Sequence, residues 1–207
     1  MWTVLSNVGD AAVTLPIAIV CAIWIAMSDV RLALRWALAL SCGMLLVGAS
    51  KILYYTWGVV PPLMHFRVIS GHTMLSTAVW TVALALQLRW WRLPRPGILA
   101  GVAAGLLLGA LTGASRVHGH SHSIAEVCVG WVIGATVAAA FLRTALRAEF
   151  RRLWPIGSTI CLLAVSTLTY GHTAPFQDLI KDNSAALREN TPALVCALSH
   201  ARPRQHG

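Results

Sequence analysis

The sequence predicts an all-α fold: a polytopic membrane helix bundle of about six transmembrane helices with its active site at one membrane face. Of its 207 residues, 57% are hydrophobic and 11% are charged, whereas soluble domains carry a charged share of about 25%. Several uncharged apolar runs approach the roughly 20 residues that cross a bilayer. Arginine, histidine and glutamate are gathered at boundaries between these runs. Charge placed there is costly unless it serves a function.

The predicted spans are the apolar runs between charged boundaries. They cover about residues 11–27, 32–50, 72–88, 97–114, 123–142 and 154–170. The second span ends at Lys51 and is followed by a loop that contains Pro61–Pro62, since a proline pair interrupts a helix. Residues 1–170 are thus predicted to form one transmembrane domain, and the more polar residues 171–207 a C-terminal tail.

The fourth predicted span carries a glycine at every fourth position. These residues are Gly101, Gly105, Gly109 and Gly113. Such a stripe lets a second helix backbone approach closely, as in other small-residue interfaces of membrane helices. We interpret it as a packing surface.

The orientation follows from the distribution of basic residues. The connections after spans one, three and five are rich in arginine, whereas those after spans two and four hold only Lys51, Arg67 and Arg116. The positive-inside rule places the arginine-rich connections in the cytoplasm and the other two outside. The net charge of +9 does not indicate a nucleic-acid partner, because the basic residues flank apolar runs instead of forming a polar module. Membrane lipids are the expected surroundings.

The segment Ser115–Val127, SRVHGHSHSIAEV, is the most polar stretch between two apolar runs. His122 stands near the start of the fifth span, and Glu126 follows one helical turn later, so both side chains share a face. A carboxylate bonded to one imidazole nitrogen fixes the tautomer and leaves the other nitrogen free to act as a nucleophile. We therefore predict a catalytic His122–Glu126 pair.

A second polar segment, Ser70-Gly71-His72, stands where a loop becomes the third span. The N-terminus of a helix binds anions through its unpaired N–H groups. Lys51, Arg67 and Arg116 accompany these segments, and such cations hold the oxygens of a phosphoryl group. Their positive charge should lower the pKa of His122, which Glu126 opposes. A protonated His72 would donate to the leaving oxygen. Together the two segments predict a phosphoryl-transfer site.

These segments resemble the motifs of the type 2 phosphatidic acid phosphatases, integral membrane relatives of the vanadium haloperoxidases. That family carries K-x6-R-P, P-S-G-H and S-R-x5-H-x3-D. The third motif matches from Ser115-Arg116 through His122, with Glu126 at the aspartate position. The second matches at Ser70-Gly71-His72 after Ile69 in place of proline, and the first matches at Lys51 alone.

The resemblance implies a role for each matching residue. His122 would be the nucleophile that becomes phosphorylated, His72 the general acid, and Glu126 the residue that orients His122. Phosphate binding would fall to four residues, Lys51, Ser70, Gly71 and Arg116. Gly58 and Val59 stand where the family has Arg-Pro, and we propose that Arg67 replaces the missing arginine.

The expected activity is hydrolysis of a lipid phosphate or diphosphate that enters from the bilayer. Bacterial members of the family act on undecaprenyl diphosphate or phosphatidylglycerol phosphate. No metal or other cofactor is required by this mechanism, because cationic side chains take the place of a metal. The loop-poor architecture favours a bacterial inner membrane, with the active site facing the periplasm. The oligomeric state is left open.

Three alternatives remain. A family member that has lost hydrolysis would only bind lipid phosphates. A lipid phosphotransferase would use the same phosphohistidine and pass the group to an acceptor other than water. A metal-binding transporter would use His118, His120 and His122, which alternate as H-x-H-x-H, because imidazole clusters bind zinc and copper. Arg116 and Lys51 argue against the metal-binding alternative, since they would repel a cation.

Overall fold

The computed structural model describes residues 2–57, 66–148 and 155–171. Within these ranges the chain forms seven helices and no strand, which confirms the predicted all-α fold. The helices are α1 (Trp2–Val8), α2 (Ala11–Ala26), α3 (Val30–Trp57), α4 (Gly71–Trp90), α5 (Arg95–His118), α6 (Ile124–Ala145) and α7 (Pro155–Thr169).

Helix α4 is the central helix of the bundle. It packs against α5 and α6 along most of its length and also contacts α2, α3 and α7. Its buried surface is partly polar: Ser76 shares a hydrogen bond of 2.9 Å with Thr112 on α5, and the Thr77 hydroxyl donates to the Thr73 carbonyl at 2.7 Å. Hydroxyl groups satisfied in this way allow a membrane helix to be buried against other helices instead of against lipid.

The glycine stripe of α5 forms the contact with α4, as predicted. A Cβ atom on Gly105 would lie 2.8 Å from the Thr81 hydroxyl, and one on Gly109 would lie 2.8 Å from the Thr77 Cα atom. No side chain fits in these gaps. The close approach of α4 and α5 therefore depends on glycine at these positions.

Within the part of the chain that the structure describes, three helices are long and apolar enough to cross a membrane, namely α3, α5 and α6. Helices α1 and α2 meet at a bend of 40° and make a fourth candidate if the pair is one span. Helix α4 is not among these three helices, and its buried serine and threonine residues lower its mean hydropathy. Helix α7 is a shorter apolar helix. The predicted number of six spans is thus approximate.

Two features differ from the sequence-based expectation. Helix α3 continues through Lys51 to Trp57, so Lys51 lies within a helix and not at the start of a loop. Residues 2–8, which precede the first predicted span, form α1 and pack against α5. Pro61–Pro62 and the tail after Gly171 lie outside the described residues, and the predicted division into domain and tail stays a prediction.

Basic residues lie at both ends of the bundle. Arg95 begins α5 and Arg116 lies in its last turn, which at 1.5 Å per residue places them about 32 Å apart along the axis. At the Arg95 end, the Arg89 guanidinium donates to the carbonyls of Leu146 and Ala148 and so ties α4 to the end of α6. Arg116 therefore lies at the other end of the bundle.

Candidate active site

A cavity of about 380 Å³ opens at the Arg116 end of the bundle. Its wall contains three cationic side chains, the predicted histidine–glutamate pair and two tyrosines. The lining residues are Lys51, Tyr54, Tyr55, Arg67, Val68, Arg116, Ser121, His122 and Glu126. Five of the eight predicted site residues thus line one cavity, although they come from α3, the segment before α4, α5, the loop between α5 and α6, and α6.

A tight loop brings His122 next to Arg116. The backbone N–H groups of Ser121 and His122 both donate to the Arg116 carbonyl, at 3.0 and 3.4 Å. The chain then enters α6 at Ser123, whose hydroxyl accepts the N–H of Glu126 while the Glu126 carboxylate accepts the N–H of Ser123. This capping box fixes the start of the helix. The spacing of the motif therefore places an arginine and a histidine on the same cavity.

His122 and Glu126 form a direct pair. The Nδ1 atom of His122 lies 2.6 Å from Oε2 of Glu126, and both side chains are nearly buried, with exposed fractions of 6% and 4%. A carboxylate at Nδ1 favours the tautomer that carries its proton there. The Nε2 atom is then the one with a lone pair for reaction.

Glu126 also holds the segment that precedes α4. Its Oε1 atom accepts the backbone N–H groups of Arg67 at 2.7 Å and Val68 at 3.3 Å, and its carbonyl accepts the N–H of Ser70 at 3.3 Å. Gly130 makes this approach possible, since a Cβ there would lie 2.6 Å from the Ser70 carbonyl oxygen. Glu126 thus contacts His122 and also joins the two predicted motifs. The sequence predicted its contact with His122 but not its contact with the segment before α4.

The pKa of His122 lies below its ordinary value of 6.5. Burial is the main cause, because it disfavours the charged imidazolium. The hydrogen bond and negative charge of Glu126 act in the opposite direction, and the positive charges of Arg116 and Lys51 add to the lowering. His122 is therefore neutral at neutral pH, the state in which an imidazole is nucleophilic.

The cationic side chains approach the cavity from different elements. Lys51 is 9% exposed, and a Cβ on Gly71 would lie 3.9 Å from its Nζ atom, so its ammonium is close to the N-terminus of α4. Arg116 donates from Nη1 to the Ser6 hydroxyl at 3.0 Å. Arg67 also lines the cavity, and its backbone N–H donates to Glu126.

Ser70, Gly71 and His72 do not line this cavity. Ser70 is fully buried, and its hydroxyl shares a hydrogen bond of 2.9 Å with the hydroxyl of Thr73. His72 lies in the first turn of α4, and its Nε2 atom is 3.3 Å from Oδ2 of Asp10. The structure therefore places the predicted general acid beside a carboxylate from the N-terminal part of the chain.

Sequence reasoning missed Asp10 as part of this site. Asp10 is one of only seven acidic residues in the chain and directly precedes an apolar run, which identifies it as a helix cap. Nothing in the sequence indicates that its second oxygen faces a histidine 62 positions away. Only the packing of α2 against α4 reveals the contact.

The alternating histidines do not form a cluster. The ring of His118 stacks on Trp2 with centroids 4.8 Å apart, and His122 is bonded to Glu126. His120 occupies the exposed turn between them with a φ of 52°. In the parts of the chain that the structure describes, no three His, Cys, Asp or Glu side chains gather as a metal-binding group.

Comparison with known proteins indicates the family to which the chain belongs. Residues 58–150 match the family model of the PAP2 superfamily. An uncharacterized 22.5 kDa protein in the cps region of Klebsiella pneumoniae is 30% identical over 197 residues, which cover 90% of this chain and 91% of that protein. No solved structure matches. The chain belongs to the PAP2 superfamily. This membership indicates a membrane phosphatase that acts on phosphate esters.

Proposed function

We propose that this protein hydrolyses a lipid phosphate or diphosphate through a phosphohistidine on His122. The observation that carries the proposal is the His122–Glu126 pair, 2.6 Å apart, on the wall of a cavity shared with Lys51, Arg67 and Arg116. A neutral imidazole oriented by a carboxylate is a nucleophile. Three cations beside it suit the charge of a phosphoryl group in transfer.

In the first step the Nε2 lone pair of His122 attacks phosphorus, and the bond from phosphorus to the leaving oxygen breaks. His72 does not line the cavity, and we propose that the leaving oxygen extends past the cavity wall toward it. Protonated His72 gives its proton to that oxygen, so the lipid leaves as a neutral alcohol or as a protonated phosphate. Lys51, Arg67 and Arg116 hold the remaining phosphoryl oxygens. The first turn of α4 lies outside the cavity wall but begins beside the Lys51 ammonium, and we propose that its N–H groups supply further donors to the same phosphoryl group.

In the second step a water molecule attacks the phosphorus of phosphohistidine. The now neutral His72 accepts the water proton, and the nitrogen–phosphorus bond breaks to release inorganic phosphate. Glu126 keeps the Nδ1 proton in place throughout and remains ionised, because four backbone and side-chain donors surround its carboxylate. Both histidines return to their starting protonation states.

The substrate is proposed to enter laterally, with its head group in the cavity and its tail in the bilayer. Helix α3, which supplies Lys51 and the two tyrosines of the cavity, presents exposed Leu45, Leu46 and Leu53 on its outer surface. Prenyl diphosphates of the undecaprenyl type and phosphatidylglycerol phosphate fit this description. The arginine-rich opposite end of the bundle supports an orientation in a bacterial inner membrane with the cavity toward the periplasm.

The test is phosphate release from a panel of lipid monophosphates and diphosphates in detergent with EDTA present. We expect the wild type to release phosphate and the His122→Ala variant to be slower by at least about 1000-fold. His120→Asn is the matched control: it removes a histidine from the same loop, and asparagine tolerates the left-handed backbone there. It should retain wild-type turnover.

The intermediate gives a second readout. Rapid quenching with radiolabelled substrate should trap acid-labile, base-stable phosphate on the wild type and none on His122→Ala. Activity lost in EDTA and in His120→Asn would favour the metal-binding alternative. Labelled wild type that transfers phosphate to an added alcohol, with no inorganic phosphate released, would identify a phosphotransferase.

A further inference from the structure

The bend between α1 and α2 brings an aspartate to the predicted general acid. Asp10 caps α2, because its Oδ1 atom accepts the N–H of Ala12 at 2.8 Å. This leaves Oδ2 for the Nε2 atom of His72 at 3.3 Å. Gly9 permits the close approach, since a Cβ at that position would lie 3.3 Å from the carbonyl oxygen of His72 and would collide with Thr112.

The same bend contacts the phosphate-binding side of the cavity. Ser6 accepts a hydrogen bond from Arg116, and Asp10 attracts the Arg116 guanidinium electrostatically. Asp10 is only 9% exposed, and a buried carboxylate is stable only when it is hydrogen-bonded or paired. The helix cap, His72 and Arg116 together provide those partners.

We propose that Asp10 is the positioning residue of His72, an inference that rests on the proposed function. The carboxylate accepts the Nε2 proton of His72 in a hydrogen bond, which orients the ring and leaves the proton on Nδ1 as the one transferred to the leaving oxygen. When that proton is transferred, the Nε2–H bond to Asp10 remains. Asp10 gains and loses no proton and touches no substrate atom.

A capping role alone would not require this contact. Asp29 shows what capping alone looks like: its Oδ1 accepts the N–H groups of Arg31 and Leu32 at the start of α3, at 2.8 and 3.2 Å, and Asp29 is solvent-exposed. The two aspartates therefore share a structural role, and only Asp10 adds a histidine. Asp29→Asn is consequently a matched control for Asp10→Asn.

The test separates positioning from stability through the leaving group. Asparagine is as good a helix cap as aspartate, so Asp10→Asn should keep α2 intact while removing the negative charge beside His72. A lipid phosphate monoester releases an alkyl oxygen, which is a poor leaving group unless the acid protonates it, whereas p-nitrophenyl phosphate releases a phenolate that is stable without a proton. In a single turnover, where the common second step does not contribute, we expect leaving-group release by Asp10→Asn to slow roughly 10- to 100-fold with the lipid, a part of the usual effect of a general acid. With the aryl phosphate we expect little change.

Each other outcome has a defined meaning. Equal losses with both substrates, or no loss with either, would overturn the inference, as would an equal effect in Asp29→Asn. The thermal unfolding midpoint of Asp10→Asn should stay near that of Asp29→Asn. If His122→Ala kept full turnover of both substrates, the proposed function and this inference would fail together. An inactive His122→Ala with an unselective Asp10→Asn would refute the inference alone.

Discussion

Nδ1 of His122 and Oε2 of Glu126 lie 2.6 Å apart, and the other oxygen of the same carboxylate accepts two backbone N–H groups from the segment before α4. From the first turn of α6, the Glu126 carboxylate thus binds both His122 and the segment before α4. Its extra methylene, compared with the aspartate of the family motif, gives the carboxylate the length to do both.

Replacement of Glu126 by aspartate should therefore reduce activity, although it restores the family motif. The shorter side chain cannot hold His122 and the N–H groups of Arg67 and Val68 together, and a displacement of about 1 Å in a catalytic group can cost roughly 100-fold in rate. Steady-state kcat with a lipid phosphate is the measurement. A Glu126→Asp variant as fast as the wild type would show that the second contact is dispensable.

The pH profile should report the lowered pKa of His122. Protonation removes the lone pair that attacks phosphorus, so kcat/KM should fall as the pH decreases through a value below the ordinary 6.5. Lys51→Gln removes one of the positive charges that lower this pKa. Its acidic limb should accordingly move to higher pH.

This comparison is best made with one substrate for both proteins, because ionisation of the substrate then cancels. Arg31→Gln, which changes an exposed arginine before the predicted second span, is the control and should leave the profile unchanged. A Lys51→Gln profile shifted to lower pH would contradict the electrostatic account.

Arg67 should contribute to phosphate binding through its side chain alone. Arg67→Ala keeps the backbone hydrogen bond to Glu126 and removes only the charged side chain of a residue that lines the cavity. We expect KM and the inhibition constant of inorganic phosphate to rise by about 10-fold, equivalent to one charge-assisted hydrogen bond. Arg67→Lys should recover part of the loss, and unchanged constants in Arg67→Ala would exclude Arg67 from the phosphate site.

The contact of α4 with α5 should not accept a side chain at Gly105. A Cβ there would lie 2.5 Å from the backbone nitrogen of Thr81, and overpacking of this kind costs about 1–3 kcal/mol. Gly48 on α3 has no atom within 4 Å of an added Cβ. Gly48→Ala should be neutral or stabilising by up to about 1 kcal/mol, because alanine favours a helix. Thermal unfolding in detergent compares the two, and equal midpoints would show that α4 and α5 can separate.

The proposed orientation can be tested by labelling introduced cysteines. Ser121 is exposed beside the cavity, and Leu93 is exposed just before the start of α5, at the opposite end of that helix. In intact cells a membrane-impermeant maleimide should label Ser121→Cys, and it should label Leu93→Cys only after permeabilisation. The reverse pattern would place the cavity in the cytoplasm.

Local sequence pattern was sufficient to predict the all-α fold, the packing role of the α5 glycines and the pairing of His122 with Glu126. Each of these depends on hydrophobic runs or on spacings of four residues, and the geometry of a helix converts such spacings into a shared face. The prediction that Lys51 ends the second span was wrong, because α3 continues to Trp57. Its charge suggests the end of a span, but a long side chain can remain on a helix and extend toward a polar cavity.

The sequence by itself identified five of the residues that line the cavity, because charge is so scarce in this chain that its locations are informative. Only the tertiary structure decided that Glu126 supports two segments and that Asp10 contacts a histidine 62 residues further along. Both contacts form when α2 and α6 pack against the first turn of α4. The relative positions of helices depend on how whole surfaces fit together, and no spacing within a single segment records that fit.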